Sequence, residues 1–171
     1  LSWYFWQGGK SIPQDIDDLA VFIAIAGAFT LQLRYPIRGI EALLAHYEVP
    51  VAGKHVVILG RGATIGRPLA LLLSQKRATA NAAVTVVHTG VPDWAEHTRR
   101  ADIVVAAVGV PGIVQPEHLS PGVTVIGAGV RYEGRRLLPD VDEACEEVAG
   151  AITPRVGGVG PTTIALLFRN A

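Results

Sequence analysis

The chain has one cysteine, no methionine and no excess of charge. Each absence excludes something. A single Cys145 forms no intrachain disulfide, which fits a reducing compartment. It sits in an acidic run, which marks it as a bystander and not a nucleophile. Lys plus Arg is 15 and Asp plus Glu is 15, so there is no electrostatic footprint for nucleic acid or an anionic membrane. His46, His55, His88, His97 and His118 are scattered, without the close spacing of a zinc site, and no metal is expected. The uncharged apolar run from Leu19 to Leu33 falls short of the roughly 20 residues of a membrane span. Gly27, Thr30 and Gln32 interrupt it, so it reads as buried. No basic stretch precedes an apolar core, so a signal peptide is not supported. A chain that starts at Leu1 without any Met is expected to begin inside a longer polypeptide.

What is present is apolar and glycine-rich. Hydrophobic residues make up 50% of 171, enough for a real core and too many for disorder. The most informative segment is Val56 to Pro68, VVILGRGATIGRP. Val56, Val57, Ile58 and Leu59 read as a buried strand. Gly60, Gly62 and Gly66 follow, and a helix opens at Arg67-Pro68. Strand, glycine turn and helix place a helix N-terminus against a phosphate. Gly60 ends the strand in a tight turn, Gly62 lets the backbone approach a pyrophosphate, and Gly66 lets helix and strand pack closely. The spacing G-x-G-x-x-x-G is one residue longer than the usual dinucleotide fingerprint. An ordinary strand-to-helix turn in a parallel sheet would use the same glycines.

Residues 1–36 lack clear punctuation and stand apart as an atypical segment, a remnant or linker of an N-terminal domain; 37–171 form the regular part. Ile40, Leu43, Leu44 and Tyr47 recur at helical spacing. Leu69, Leu72 and Leu73 mark a second helix. Ala83 to Val87, Ile103 to Val108 and Val123 to Ile126 read as further strands, with a short last one from Ile152. Asp93 with Glu96, and Asp140 with Glu143, have the spacing of capping boxes, the second ahead of a helix around Val141 to Val148. Thr162 to Arg169 reads as a closing helix with Ile164, Leu167 and Phe168 on one face. Apolar strands alternating with helices predict an α/β fold, a doubly wound parallel sheet covered on both faces. The turns 60–66, 88–92, 109–113, 127–131 and 157–161 then line the crevice at the strand carboxyl ends.

The second strand ends VVHTG, with no carboxylate for a ribose hydroxyl. Arg61, His88 and Thr89 suit a 2′-phosphate instead, which favours NADP over NAD. The same residues could be solvated loop positions. Gly109 to Gly112 fits the nicotinamide side or a plain turn. Gly157-Gly158-Val159-Gly160-Pro161 permits close ligand contact ahead of a helix, or is a flexible loop. No acid–base constellation stands out in 37–171.

GRGATIGRPLALLL, VTVVHTG, ADIVVAAVG, PGVTVIGAG and ITPRVGGVGPTTIALL, in this order, resemble the methylenetetrahydrofolate dehydrogenase/methenyltetrahydrofolate cyclohydrolase family. The match runs from about Ile37 to Ala171, the family's cofactor-binding, Rossmann-like half. The resemblance implies NADP-dependent oxidation of 5,10-methylenetetrahydrofolate, then hydrolysis to 10-formyltetrahydrofolate. It implies a cytoplasmic homodimer serving one-carbon metabolism and purine biosynthesis, with no nucleic-acid or membrane partner. By residue match, Gly60, Arg61, Gly62, Ile65, Gly66, His88, Thr89, Gly109, Pro111 and Gly112 would face the cofactor. Asp17, Gly157, Gly158 and Pro161 would face the tetrahydrofolate substrate.

This chain departs from the family in several places. Its catalytic Lys has no counterpart here, so the catalytic residue is unknown. Gly62 stands where Ser is common, Gly127 stands for an Asp, Pro139-Asp140-Val141 for Gly-Asp-Val, Val156 for a Pro and Asp18 for a Gly. The cofactor loops are better kept than the substrate side. A non-catalytic NADP-binding module, or a diverged paralogue with an eroded folate site, is therefore the alternative.

Overall fold

β-Branched runs bounded by glycine and aspartate become the strands of one sheet. The structure, a computed structural model, describes residues 37–155 and 157–169. A first helix, α1, covers residues 37–46. It is followed by β1 (His55–Leu59), α2 (Gly66–Leu73), β2 (Ala83–Val87), α3 (Trp94–Thr98) and β3 (Ile103–Ala106). Then come β4 (Thr124–Gly127), β5 (Val130–Glu133), β6 (Arg136–Pro139), β7 (Ala151–Ile152) and α4 (Val159–Arg169).

The main sheet has five strands in the order β2-β1-β3-β4-β7, each pairing parallel. Counting only these strands, the order is doubly wound and reverses at β1 and β3. Val56 pairs with Ile103 and Leu59 with Ala106, so the two strands end level and their following loops meet. Alternate residues feed two cores. Val56, Ile58, Ile103, Val105 and Ile126 pack with Ile40 and Leu44 of α1, Leu69 and Leu73 of α2, and Val159. Val57, Leu59, Val104, Ala106 and Val125 pack with Val87, Val114, Leu119, Val141 and Cys145. Burial on both faces is why these strands read as unbroken apolar runs.

Several expectations change. The Asp93 side chain makes no capping bond, although Asp93 does precede α3. The second capping residue is Asp142, which accepts from Ala144 N at 2.9 Å, and the segment after it is a 3-10 turn, Glu143–Glu147. Asp140 is instead buried. α4 begins at Val159, and its Ile164 and Phe168 are 58% and 75% exposed. The face turned inward is small: Val159 is buried, and a Cβ on Gly39 of α1 would sit 3.0 Å from Thr163 Oγ1. Tyr47 is likewise exposed, so the buried stripe of α1 ends at Leu44. The β5–β6 hairpin was not anticipated. It turns at Gly134-Arg135, where Gly134 has φ +59°, as a two-residue hairpin loop requires. The apolar run 19–33 lies outside the described residues.

Glu41 ties α1 to the chain beyond α2. Its carboxylate, nearly buried, accepts from Arg38 Nη1 (2.8 Å), Arg77 Nη2 (2.9 Å) and Thr79 Oγ1 (2.9 Å). Removing it strands Arg77, whose Nε is already buried without a partner. Glu41→Ala is expected to lower unfolding free energy by about 2 kcal/mol in urea titrations, and Arg38→Ala by less than about 1 kcal/mol.

Candidate cofactor site

The crevice begins where β1 stops. Gly60 has φ +109°, and a Cβ there would strike the Ala107 carbonyl. A Cβ on Gly66 would strike the Gly60 carbonyl. Both glycines are therefore needed for the turn to close. Gly62 differs: nothing lies within 4 Å of the place its Cβ would take, and the residue is exposed. The turn delivers α2 with its N-terminus at the crevice. Ile65 at the N-cap provides no side-chain bond, and no acidic residue occupies the first turn. Arg67 N donates to Gly62 O at 3.1 Å, Leu69 N donates to Ile65 O at 2.8 Å and Pro68 has no N–H, so it is the helix dipole with the N–H at the very start of α2 that favours an anion.

The donors at the end of β2 make the same demand. His88 Nδ1 accepts from Gly90 N at 3.0 Å. That bond leaves the ring hydrogen on Nε2. Arg61 Nη1 lies 3.4 Å from this Nε2. A guanidinium has only hydrogens to offer, so two donors face one another and share no bond. An anionic acceptor between them satisfies both. Thr89 follows directly, and no carboxylate stands at 86–90.

A cavity of about 280 Å³ adjoins this pair, lined by Gly60, Arg61, Gly62, His88 and Thr89 with Leu59, Val87, Trp94, Val108 and Ile113. It offers an apolar slot beside a cationic mouth. A second cavity, about 270 Å³, continues past Gly62, Ala107 and Val108, which line both. Thr64, Ile65, Gly66, Gly109, Ala128, Gly129 and Val130 complete it. Four of the five predicted turns thus meet at the switch between β1 and β3.

The remaining positions are placed differently. Pro111 and Gly112 line neither cavity; Gly112, at φ +62°, donates to Pro139 O at 3.0 Å. Gly157 and Gly158 line a separate space of about 380 Å³ along β4 and β7, with Leu43, Tyr47 and Val49. Pro161 lines none of these cavities. Asp17, Asp18 and Val156 lie outside the described residues. Lys54 is at the opposite ends of the strands, 3.3 Å from Asp102 Oδ1. The backbone N–H of His55 holds the Asp102 carboxyl below its usual range, and Lys54 adds to this. Burial pushes the Cys145 thiol up to about 11, so it stays protonated at neutral pH.

Sequence reasoning missed two contributors. Trp94 carries no motif, yet it closes the first cavity and stacks edge-on against His118 at 4.6 Å. Asp140, read as a helix cap, accepts from Val108 N (2.6 Å) and Gly109 N (2.9 Å) behind the second cavity. Its signal was only the Asp of a matched motif.

A doubly wound parallel sheet with an uncapped helix terminus and a glycine turn at its switch point defines a dinucleotide-binding domain. The family model for the tetrahydrofolate dehydrogenase/cyclohydrolase NAD(P)-binding domain matches residues 36–171. The chain is 77% identical over 133 residues to bifunctional protein FolD 1 of Salinispora tropica, covering 78% of this chain and 44% of that protein. A crystal structure of the bifunctional FolD enzyme from Campylobacter jejuni superposes with TM-score 0.73 at 36% identity, over 79% of this chain and 47% of that one. The Trypanosoma brucei FolD structure, solved with NADP and an inhibitor, gives TM-score 0.71 at 39% identity, over 80% and 48%. The chain belongs to the tetrahydrofolate dehydrogenase/cyclohydrolase family, in its NAD(P)-binding domain. It spans a little under half the length of the curated relatives it matches.

The glycines separate by role. Gly66→Ala is expected to cost about 2–4 kcal/mol of stability, because its Cβ meets backbone that has nowhere to go. Gly62→Ala is expected to stay within about 0.5–1 kcal/mol of the parent, the helix-independent cost of losing glycine freedom being small. Thermal and urea unfolding of the two variants check this.

Proposed function

We propose that this chain binds NADP and serves the oxidation of 5,10-methylenetetrahydrofolate to the methenyl form, within an enzyme that also acts as cyclohydrolase. The observation that carries the cofactor is the pair of opposed donors, Arg61 Nη1 and His88 Nε2 at 3.4 Å. A dianionic 2′-phosphate satisfies both with charge-assisted bonds, whereas an NAD ribose hydroxyl offers only a neutral acceptor beside the guanidinium. Thr89 adds a hydroxyl. Leu59, Val87, Trp94 and Ile113 supply apolar walls for the adenine beside it. Gly62 and the N-terminus of α2 take the pyrophosphate, and Gly109 with Ala128 and Gly129 face the nicotinamide end.

Held there by Arg61, His88 and the Gly60–Gly66 turn, the cofactor would supply the acceptor for a hydride from the one-carbon bridge of the folate. The residues of this chain bind and orient it. None of the described residues forms an acid–base pair at the crevice that would serve the hydrolysis. A catalytic Lys, as the resemblance implies, belongs to an N-terminal domain. The chain alone is therefore proposed to be a poor cyclohydrolase. Asp17, Gly157, Gly158 and Pro161 remain proposed for the folate side.

The homodimer, the cytoplasmic location and the role in purine biosynthesis belong to the same proposal. No described helix is long and apolar enough to cross a membrane. Gly127 in place of an Asp favours a second reading, a non-catalytic NADP module or diverged paralogue, which predicts cofactor binding without folate binding.

Fluorescence titration with NADPH and NADH tests the central reading. NADPH is expected to bind at least roughly tenfold tighter, and Arg61→Ala to weaken NADPH by about 1.5–3 kcal/mol while leaving NADH nearly unchanged. Equal affinity for the two dinucleotides would contradict the phosphate assignment.

A further inference from the structure

Asp140 is the only fully buried carboxylate among the described residues, and none of the ion pairs found there includes it. Its Oδ2 accepts from the backbone N–H groups of Val108 at 2.6 Å and Gly109 at 2.9 Å. Its Oδ1 is buried with no partner among the described residues. Two backbone donors thus converge on one carboxylate oxygen, and no described group faces the other. The backbone locks it in place: Asp140 N donates to Gly129 O and Val114 N donates to Asp140 O, both at 3.1 Å. A Cβ on Gly129 would strike the Asp140 carboxylate.

Val108, Gly109 and Gly129 all line the second cavity. Asp140 therefore stands directly behind its wall. With trans peptides among the described residues, aiming the N–H of Val108 and Gly109 at Asp140 turns the carbonyls of Ala107 and Val108 the other way. The Ala107 carbonyl accordingly faces Gly60. A neutral acceptor could hold the two amides as well. A buried, unpaired charge is costly, and the position of this one suggests what it serves. With the phosphate at Arg61 and His88, a dinucleotide crossing the switch point would bring its nicotinamide end to the cavity this wall lines. The oxidised ring is cationic and the reduced ring is neutral.

We propose that Asp140 is a positioning residue: it fixes the Val108–Gly109 wall and places a negative charge behind it, so the crevice holds oxidised NADP more tightly than it would with a neutral residue there. The proposal rests on the cofactor reading above. A charge one peptide layer away, at the effective dielectric near a protein surface, is worth roughly tenfold in affinity.

The test compares the 171-residue chain with Asp140→Asn and Asp140→Ser, titrated with oxidised NADP, NADPH and adenosine 2′,5′-bisphosphate, which lacks the nicotinamide. Both variants are expected to weaken oxidised NADP by roughly tenfold relative to NADPH, and to leave the bisphosphate within about twofold. Equal losses for both redox forms would make Asp140 a structural residue only and overturn the proposal. So would no change in either, or a parallel loss of the bisphosphate. Serine repeats the test in a smaller side chain, so a folding failure of the amide variant does not remove it. Failure of the parent to bind any of the three ligands would instead overturn the cofactor reading, and this proposal with it.

Discussion

The crevice depends on a contact made without side chains. Gly60 lies against the Ala107 carbonyl, and Gly66 against the Gly60 carbonyl. Only where both Cβ atoms are missing can β1 turn back this sharply and start α2 at the strand end. Ala107 N also donates to Leu59 O at 2.9 Å, which carries the β1–β3 pairing past the last strand residue. The loops after β1 and β3 are therefore held together at the place where the sheet reverses its winding. The helix terminus, the Arg61–His88 donors and the Val108–Gly109 wall all take their positions from that contact.

Charge is divided along the crevice. Cationic and N–H donors gather at the end of β2, and the unpaired carboxylate of Asp140 lies behind the loops after β3 and β4. Between them run Gly62 and an uncapped helix terminus. An extended ligand with a phosphate at one end, a diphosphate in the middle and a cationic ring at the other matches that order. Apolar residues fill the rest: Leu59, Val87, Trp94 and Ile113 border the donor end. The specificity thus lies in a few polar groups at the end of a sheet whose central strands are buried, where small displacements are resisted.

The sheet was legible because burial on both faces leaves unbroken β-branched runs. β3 and β4 were found within two residues for that reason, whereas Ala83–Val87, an edge strand buried only at Val87, was bounded correctly by its β-branched composition. Gly60 and Gly66 were legible too, since a strand-to-helix turn this tight excludes side chains. The β5–β6 hairpin was not. Its residues Val130 to Arg136 are exposed, so no buried pattern marks it, and only Gly134 punctuates it. Asp140 was misread because a local spacing, Asp with Glu three residues on, imitates a cap. Its partners, Val108 and Gly109, lie over 30 residues away in sequence. The shared face of Ile164 and Phe168 on α4 is an exposed one, because close approach of α1 through Gly39 selects the smaller Thr163 for the inward side. Gly157 and Gly158 show that a glycine-rich turn before a helix is not by itself part of the crevice.

One experiment addresses the whole arrangement, the mapping of backbone amide shifts by NMR as oxidised NADP is added to the labelled chain. The account predicts that the changes gather at Arg61, Gly62, Gly66, His88, Thr89, Val108, Gly109 and Gly129, and leave Gly157 and Gly158 nearly unmoved. Shifts concentrated on Gly157 and Gly158 along β4 and β7, with the turn from Gly60 to Gly66 silent, would contradict it.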